Sequence, residues 1–170
     1  MIAMAQPRNP DSEEAEPDLY PIACLGRIVE QEQQDDGRWM LTLEGVIRFT
    51  ISEECPVKDG YRQVRADYSD FSHDLEPHGS ALRLDRDALL TSLTNYLEGQ
   101  GLSADREAIG RLPDEPLVNA LAMACPFMPA EKQALLQARD IEERGELLQT
   151  LMQFTMTLDA ANDDEPPAMN

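Results

Sequence analysis

The side chains that come nearest to reactive chemistry are His73 and His78, with Asp70 and Asp74 beside them in Asp70-Phe71-Ser72-His73-Asp74. A His–Asp pair titrates near neutrality and is the base half of a nucleophilic site. No nucleophile accompanies it here, so the pair reads as a loop contact. The acid pairs Asp35-Asp36, Glu53-Glu54 and Asp163-Asp164-Glu165 raise a second option, a metal site or paired catalytic carboxylates. None has the Asp-x-Asp-x-Asp-Gly spacing of a calcium loop, and among 33 acids such neighbours arise by composition alone. Cys24, Cys55 and Cys125 with the two histidines offer no CxxC or HxxxH zinc spacing. Arg48, set in the apolar run Val46-Ile47-Arg48-Phe49, is a cation that could reach a ligand. A structural arginine paired with a carboxylate across a sheet fits the pattern better. The sequence therefore names no catalytic residue, no metal ligand and no cofactor site.

Composition narrows the partners. The net charge of −19 comes from 14 basic against 33 acidic residues. Lys58 and Lys132 are the only lysines, and the arginines are scattered. Phosphate backbones are bound by clustered Lys and Arg, so nucleic acid is a poor partner. The start MIAMAQPRNPDSEEAEP has no basic segment followed by a long apolar run, and no stretch reaches the ~20 apolar residues of a membrane span. Three widely spaced cysteines do not make a disulfide framework. Cys24 and Cys125 lie in apolar patterns and read as small core residues. A reduced, cytoplasmic setting follows, with no membrane partner.

The elements that hold these residues begin with a hairpin. Arg27–Gln34 and Arg38–Gly45 flank Asp35-Asp36-Gly37, where Asp and Gly are expected to supply the positive φ of a tight turn. Trp39, Leu41 and Leu43 alternate with Met40, Thr42 and Glu44, the period of a half-buried strand. Gly45 inside the strand marks a bulge or bend. A break is expected at Cys55–Gly60, and a further strand from Tyr61 to Tyr68. Pro7–Pro21 reads as an exposed loop and Ser69–Ala81 as a transition turned by Pro77 and Gly79. From Leu82 the apolar period becomes helical. Leu89, Leu90, Leu93 and Leu97 stripe a helix capped by Asp85 or a neighbour and ended by Gly99–Gly101. Asp105–Ile109 adds a short turn. Asp114 caps a second full helix with Leu117, Val118, Leu121 and Cys125 inward. Pro129 opens Glu131–Ala138. Asp140 with Glu143 starts a last helix with Leu147, Leu148, Leu151, Met152, Phe154 and Leu158 inward. Residues 159–170 lack an apolar face and read as a disordered acidic tail.

Gly26-x-Ile28 after an apolar strand, the Asp36-Gly37 turn, Gly45-x-x-Arg48-Phe49 and Tyr61 at the next strand form one block. Glu131-Lys132-Gln133-Ala134-Leu135-Leu136, Glu143-Arg144 and the leucines 147, 148 and 151 form another. In this order the two blocks resemble the N-terminal, substrate-binding domain of Lon proteases and its free-standing bacterial relatives, over residues 1 to 158. The resemblance implies an α+β fold: a PUA-like antiparallel β-barrel lobe over 1–70, a connection over 71–81, an α-helical bundle over 82–158 and the tail over 159–170. Gly26, Asp36, Gly37, Gly45 and Arg48 then carry turn and strand geometry rather than a reaction. The family opens with a Pro/Phe/Leu-rich strand and a Phe-Glu-x-x-Tyr helix, absent before the strand at Met1–Ala5. Either the native protein continues upstream of Met1, or the barrel is incomplete at its N-terminus and is expected to self-associate through an open sheet edge or to be partly unstable.

A Lon-type protease also needs a GxxxxGK[ST] phosphate loop and a Ser-Lys dyad. No Gly-Lys-Ser or Gly-Lys-Thr occurs, and neither lysine has a serine in a suitable setting. The expectation is a non-enzymatic module for recognising unfolded or damaged polypeptides, or engaging a protease partner, as an adaptor in protein quality control. Met40, Phe127 and Met128 are the apolar candidates for that surface. The rival is a small-molecule or nucleotide-sensing module using the barrel mouth or the inter-lobe cleft.

Overall fold

A computed structural model describes residues 1–76 and 84–163, the last six as backbone only. The fold is α+β, and the chain divides into two compact units, Met1–His78 and Gly79–Asn170. In the first, β1 (Ile2–Met4), β2 (Ile22–Gln33), β3 (Trp39–Lys58) and β4 (Tyr61–Asp67) form one sheet in the order β1-β2-β3-β4. Every neighbouring pair is antiparallel. A 3₁₀ segment, Ser69–Leu75, follows and belongs to the same unit, which therefore runs past residue 70, where the sequence expectation ended the β lobe. The second half of the expected connection, 77–81 with His78, lies outside the described residues.

Local chemistry explains the turns, with two corrections. At the first hairpin only Gly37 has a positive φ, of 85°. Asp36 instead accepts hydrogen bonds at Oδ1 from the Arg38 amide, at 3.0 Å, and at Oδ2 from Arg38 Nε, at 2.7 Å. A short carboxylate bonding the backbone two residues on is a turn device in its own right. The Asp-Gly turn with both residues left-handed lies further on, at Asp59 (φ 54°) and Gly60 (φ 83°). The expected break at Cys55 is absent: β3 is continuous for 20 residues, to Lys58. A register shift between Cys55 and Lys58 takes up Pro56 and Val57, because proline has no N–H to give a ladder and is tolerated at a bulge.

The bend at Gly45 takes the form of a bulge. Leu25 pairs with Ile47 and Gly26 with Gly45, leaving Val46 as the extra residue. A side chain on Gly26 would come within 3.3 Å of Leu43 Cβ and 3.5 Å of the Ile2 carbonyl, so glycine lets three strands meet there. Beyond the bulge β3 turns inward, and Ile47, Arg48 and Phe49 are buried with Ala23 and Phe71 in a small core.

The helical unit contains α1 (Arg86–Gly99), α2 (Arg106–Gly110), α3 (Asp114–Ala124), α4 (Pro129–Gln137) and α5 (Ile141–Asp163). Asp85 caps α1 through the Ala88 amide at 3.0 Å, and Asp105 caps α2 through the Ala108 amide at 2.9 Å. Asp140 accepts from the Glu143 amide at 2.8 Å while Glu143 reaches back to the Arg139 amide at 2.6 Å, setting the start of α5. Asp114 is corrected. It is the first residue of α3, with Pro113 at the cap position, and its carboxylate holds Arg86 at 2.6 Å. The core gathers Leu89, Leu93, Tyr96 and Leu97 of α1, Leu117, Val118 and Leu121 of α3, and Leu148 and Met152 of α5. Phe154, expected inward, is 56% exposed. At 3.6 residues per turn it lies about 120° round α5 from Leu148. The helix runs to Asp163, past Leu158 where the bundle was expected to end, since Ala160 and Ala161 favour helix. Residues 164–170 lie outside the described residues. Among the described residues no helix is long and apolar enough to cross a membrane.

Candidate functional site

Arg48, the most reactive-looking single residue of the sheet, is fully committed. Its side chain is 5% exposed. Nε and Nη2 donate to Asp74 Oδ2 and Oδ1 at 2.9 and 2.7 Å, a two-point grip that suits a guanidinium and a carboxylate. The Arg48 amide adds a third bond to Asp74 Oδ2 at 3.0 Å. The guanidinium lies 4.6 Å from the centre of the Phe71 ring, and His73 Nε2 is 3.4 Å from Nη2. Burial alone would raise the Asp74 carboxyl; the hydrogen bonds and charge of Arg48 outweigh that and hold it below the usual aspartate range. The arrangement clamps the 3₁₀ segment to β3. It has no activated nucleophile, because the Cys24 thiol, paired with Arg48 across the ladder, is itself pushed up by burial. His73 and Asp74 come together with Arg48, while His78 lies outside the described residues.

Thiol chemistry elsewhere is muted as well. Burial pushes the Cys125 thiol up to about 11, which leaves about one part in a thousand as thiolate at pH 8. Iodoacetamide at pH 8 should modify the partly exposed Cys55 first and reach Cys125 only after unfolding in urea, as read by peptide mass spectrometry. Rapid native labelling of Cys125 would contradict the burial.

The feature with binding character is the far half of the β2–β3 hairpin. Pairing with β1 ends at Gly26, and pairing with β4 begins at Thr50. Between those points and the Gln34–Arg38 turn, β2 and β3 form a two-stranded arm with no third strand among the described residues. Gln33, Gln31 and Ile28 pair with Trp39, Leu41 and Leu43, which places those six on one face. Glu32 and Glu30 pair with Met40 and Thr42 on the other, and Val29 is the bulged residue between the two registers. Val29, Trp39, Met40 and Leu41 are 54, 56, 61 and 39% exposed. Trp39 and Leu41, expected on a buried face, are thus corrected to the surface. On the Met40 face a recess of about 270 Å³ is lined by Glu30, Gln31, Glu32, Met40 and Thr42.

The candidates of the helical unit divide. Met128 is 67% exposed, but Phe127 is 7% exposed with its ring 5.9 Å from that of Tyr96, so it is a core residue and no surface anchor. Met123, which the sequence pattern did not single out, is 73% exposed. An open, uncharged groove of about 670 Å³ between α1 and α5 is lined by residues that include Ser92, Asn95, Gln149, Gln153 and Met156. Among the described residues no group of three His, Cys, Asp or Glu side chains is placed to hold a metal ion.

Comparison with known proteins adds the lineage of this arrangement. Residues 1–153 match the family model of the ATP-dependent protease La (LON) substrate-binding domain. No curated protein matches the chain. Among solved structures, a Lon N-terminal domain protein from Xanthomonas campestris aligns at 22% identity with a TM-score of 0.50, covering 78% of this chain and 68% of that one. The N-terminal domain of the Mycobacterium avium complex Lon protease aligns at 15% identity with a TM-score of 0.58, covering 89% and 90%. At these identities the likeness to the two structures is one of fold.

Proposed function

This chain belongs to the Lon substrate-binding domain family, and from that premise we propose that it is a non-catalytic polypeptide-recognition module, acting as an adaptor in protein quality control. The observation that carries the reading is the β2–β3 arm. It presents Val29, Trp39, Met40 and Leu41 to solvent on a ribbon whose edges pair with no further strand among the described residues. An extended, unfolded segment can add to such an edge through main-chain hydrogen bonds while its side chains rest on exposed aromatic and thioether surface. The same premise supports reading the sheet unit as a PUA-like lobe and the helices as a bundle, in a reduced, cytoplasmic setting. The partners are unfolded polypeptides or a protease that receives them. Pairing of two copies through the same edges is the competing use of the arm.

The test is binding of a fluorescent, reduced and carboxymethylated unfolded protein, followed by anisotropy. Trp39→Ala with Met40→Ala should weaken binding at least tenfold, the scale of losing an aromatic anchor, with an unchanged melting temperature because both side chains are exposed. Unaltered binding by that variant would remove the arm from the reading, and no binding by the wild-type protein would remove the reading itself. The small-molecule rival was expected at the barrel mouth or the inter-lobe cleft; the recess that speaks for a small ligand lies elsewhere, between α1 and α5. Stabilisation by a metabolite in a thermal-shift screen, lost on Asn95→Ala, with no polypeptide binding, would decide for it.

A further inference from the structure

Resting on the polypeptide-recognition reading, we infer that the recess on the Met40 face of the arm is a specificity pocket for a lysine or arginine side chain of the bound segment. Glu30 and Glu32 stand two residues apart on β2, on one face, opposite Thr42 and Met40 of β3. Met40 offers an exposed, flexible apolar wall for an aliphatic stem. The two carboxylates at the rim are the acceptors that a charged head group needs. Thr42 donates to Glu30 Oε2 at 3.2 Å and steadies that carboxylate toward the recess it lines.

The arm's own cations are spent elsewhere. Arg27 pairs with Glu44 at 3.4 Å, and Arg38 with Asp36 at 2.6 Å at the turn. Among the described residues no ion pair involves Glu30 or Glu32, so their charge is open to a partner. Charge decides which partner. A second copy of this chain, at −19, would bring like charge toward Glu30 and Glu32. A purely apolar segment would cover both carboxylates and leave them without a counter-ion, a costly arrangement. A strand added to the arm projects alternate side chains onto this face about 7 Å apart, so one basic residue in an otherwise apolar segment meets the pair. The arm then selects extended stretches that mix apolar and basic residues, and rejects acidic ones.

The full chain is titrated into three labelled peptides by anisotropy at low salt. Each alternates valine and threonine and differs only at its central residue, Lys, Gln or Glu. The Lys peptide should bind about tenfold more tightly than the Gln peptide, and the Glu peptide most weakly, with the gap closing as salt rises. Glu30→Gln with Glu32→Gln should bind the Lys and Gln peptides alike, at the affinity the wild-type protein shows for the Gln peptide. Equal affinity of the wild-type protein for Lys and Gln peptides would overturn the pocket while leaving polypeptide recognition intact. A preference for Lys that survives in the double variant would overturn it too. Failure to bind any of the three would overturn both.

Discussion

Asp74→Ala should lower stability by about 3–5 kcal/mol, the cost of removing one partner of a buried ion pair. The Arg48 side chain is 5% exposed and that of Asp74 17%, so solvent screening takes little from the pair. The aspartate answers three donors, two on the guanidinium and one on the backbone. Its removal takes two charge-assisted bonds from the buried guanidinium against Phe71 and one from the β3 amide. Chemical denaturation followed by far-UV circular dichroism measures the loss. Arg48→Met with Asp74→Leu supplies the control: with both charges gone and the volume kept, most of the loss should return. A double variant as unstable as Asp74→Ala would show that the geometry of the clamp, rather than the burial of charge, holds the segment.

The sign of the pH dependence follows from the depressed Asp74 carboxyl. A group whose folded value lies below its unfolded one adds stability above the unfolded value, about 3.9, and loses it as pH falls through the folded value. The difference between wild type and Asp74→Asn should therefore shrink as pH falls below about 4. A difference that grew under acid would reverse the assignment.

Leu148→Ala should cost 2–5 kcal/mol, the range for emptying a buried leucine site. Leu148 is 0% exposed and shares the helical core with Leu89, Leu117 and Met152. The core has little room to collapse, since Gly145, one turn before, already meets Leu84: a Cβ there would lie 2.5 Å from Leu84 Cδ1. Phe154→Ala provides the contrast. Although the larger side chain is removed, its 56% exposure places the expected change near 0.5 kcal/mol. Urea midpoints of the two variants read out which face of α5 is buried. Equal losses would mean that α5 packs on a wider face than the one seen.

The caps, turns and strand alternation were legible because they are settled within a few residues. Asp85 and Asp140 each bond an amide three residues on, and Gly37 takes the left-handed φ that its turn needs. Asp36 and Asp114 show the limit of such reading. Both lie at the expected place, yet their oxygens answer Arg38 and Arg86, and nothing local distinguishes a capping carboxylate from one claimed by a guanidinium. The arm shows the same limit on a larger scale. A period of two establishes that Trp39, Leu41 and Leu43 share a face, but not whether any residue covers it. Phe127 and Met128 are adjacent and alike in composition, and burial separates them completely.

By itself, the sequence determined the α+β class, the two lineage blocks, the hairpin and most helix ends, because backbone propensity and short-range hydrogen bonding act along the chain. Only the tertiary structure decided that Arg48 is neutralised by Asp74, 26 residues away, and that the hairpin lies open on both faces, with Trp39 and Leu41 on one and Met40 beside Glu30 and Glu32 on the other. Both outcomes depend on which distant segment arrives to pack or pair. Burial and ion pairing are decided in space, between residues whose separation along the chain carries no signal of their meeting.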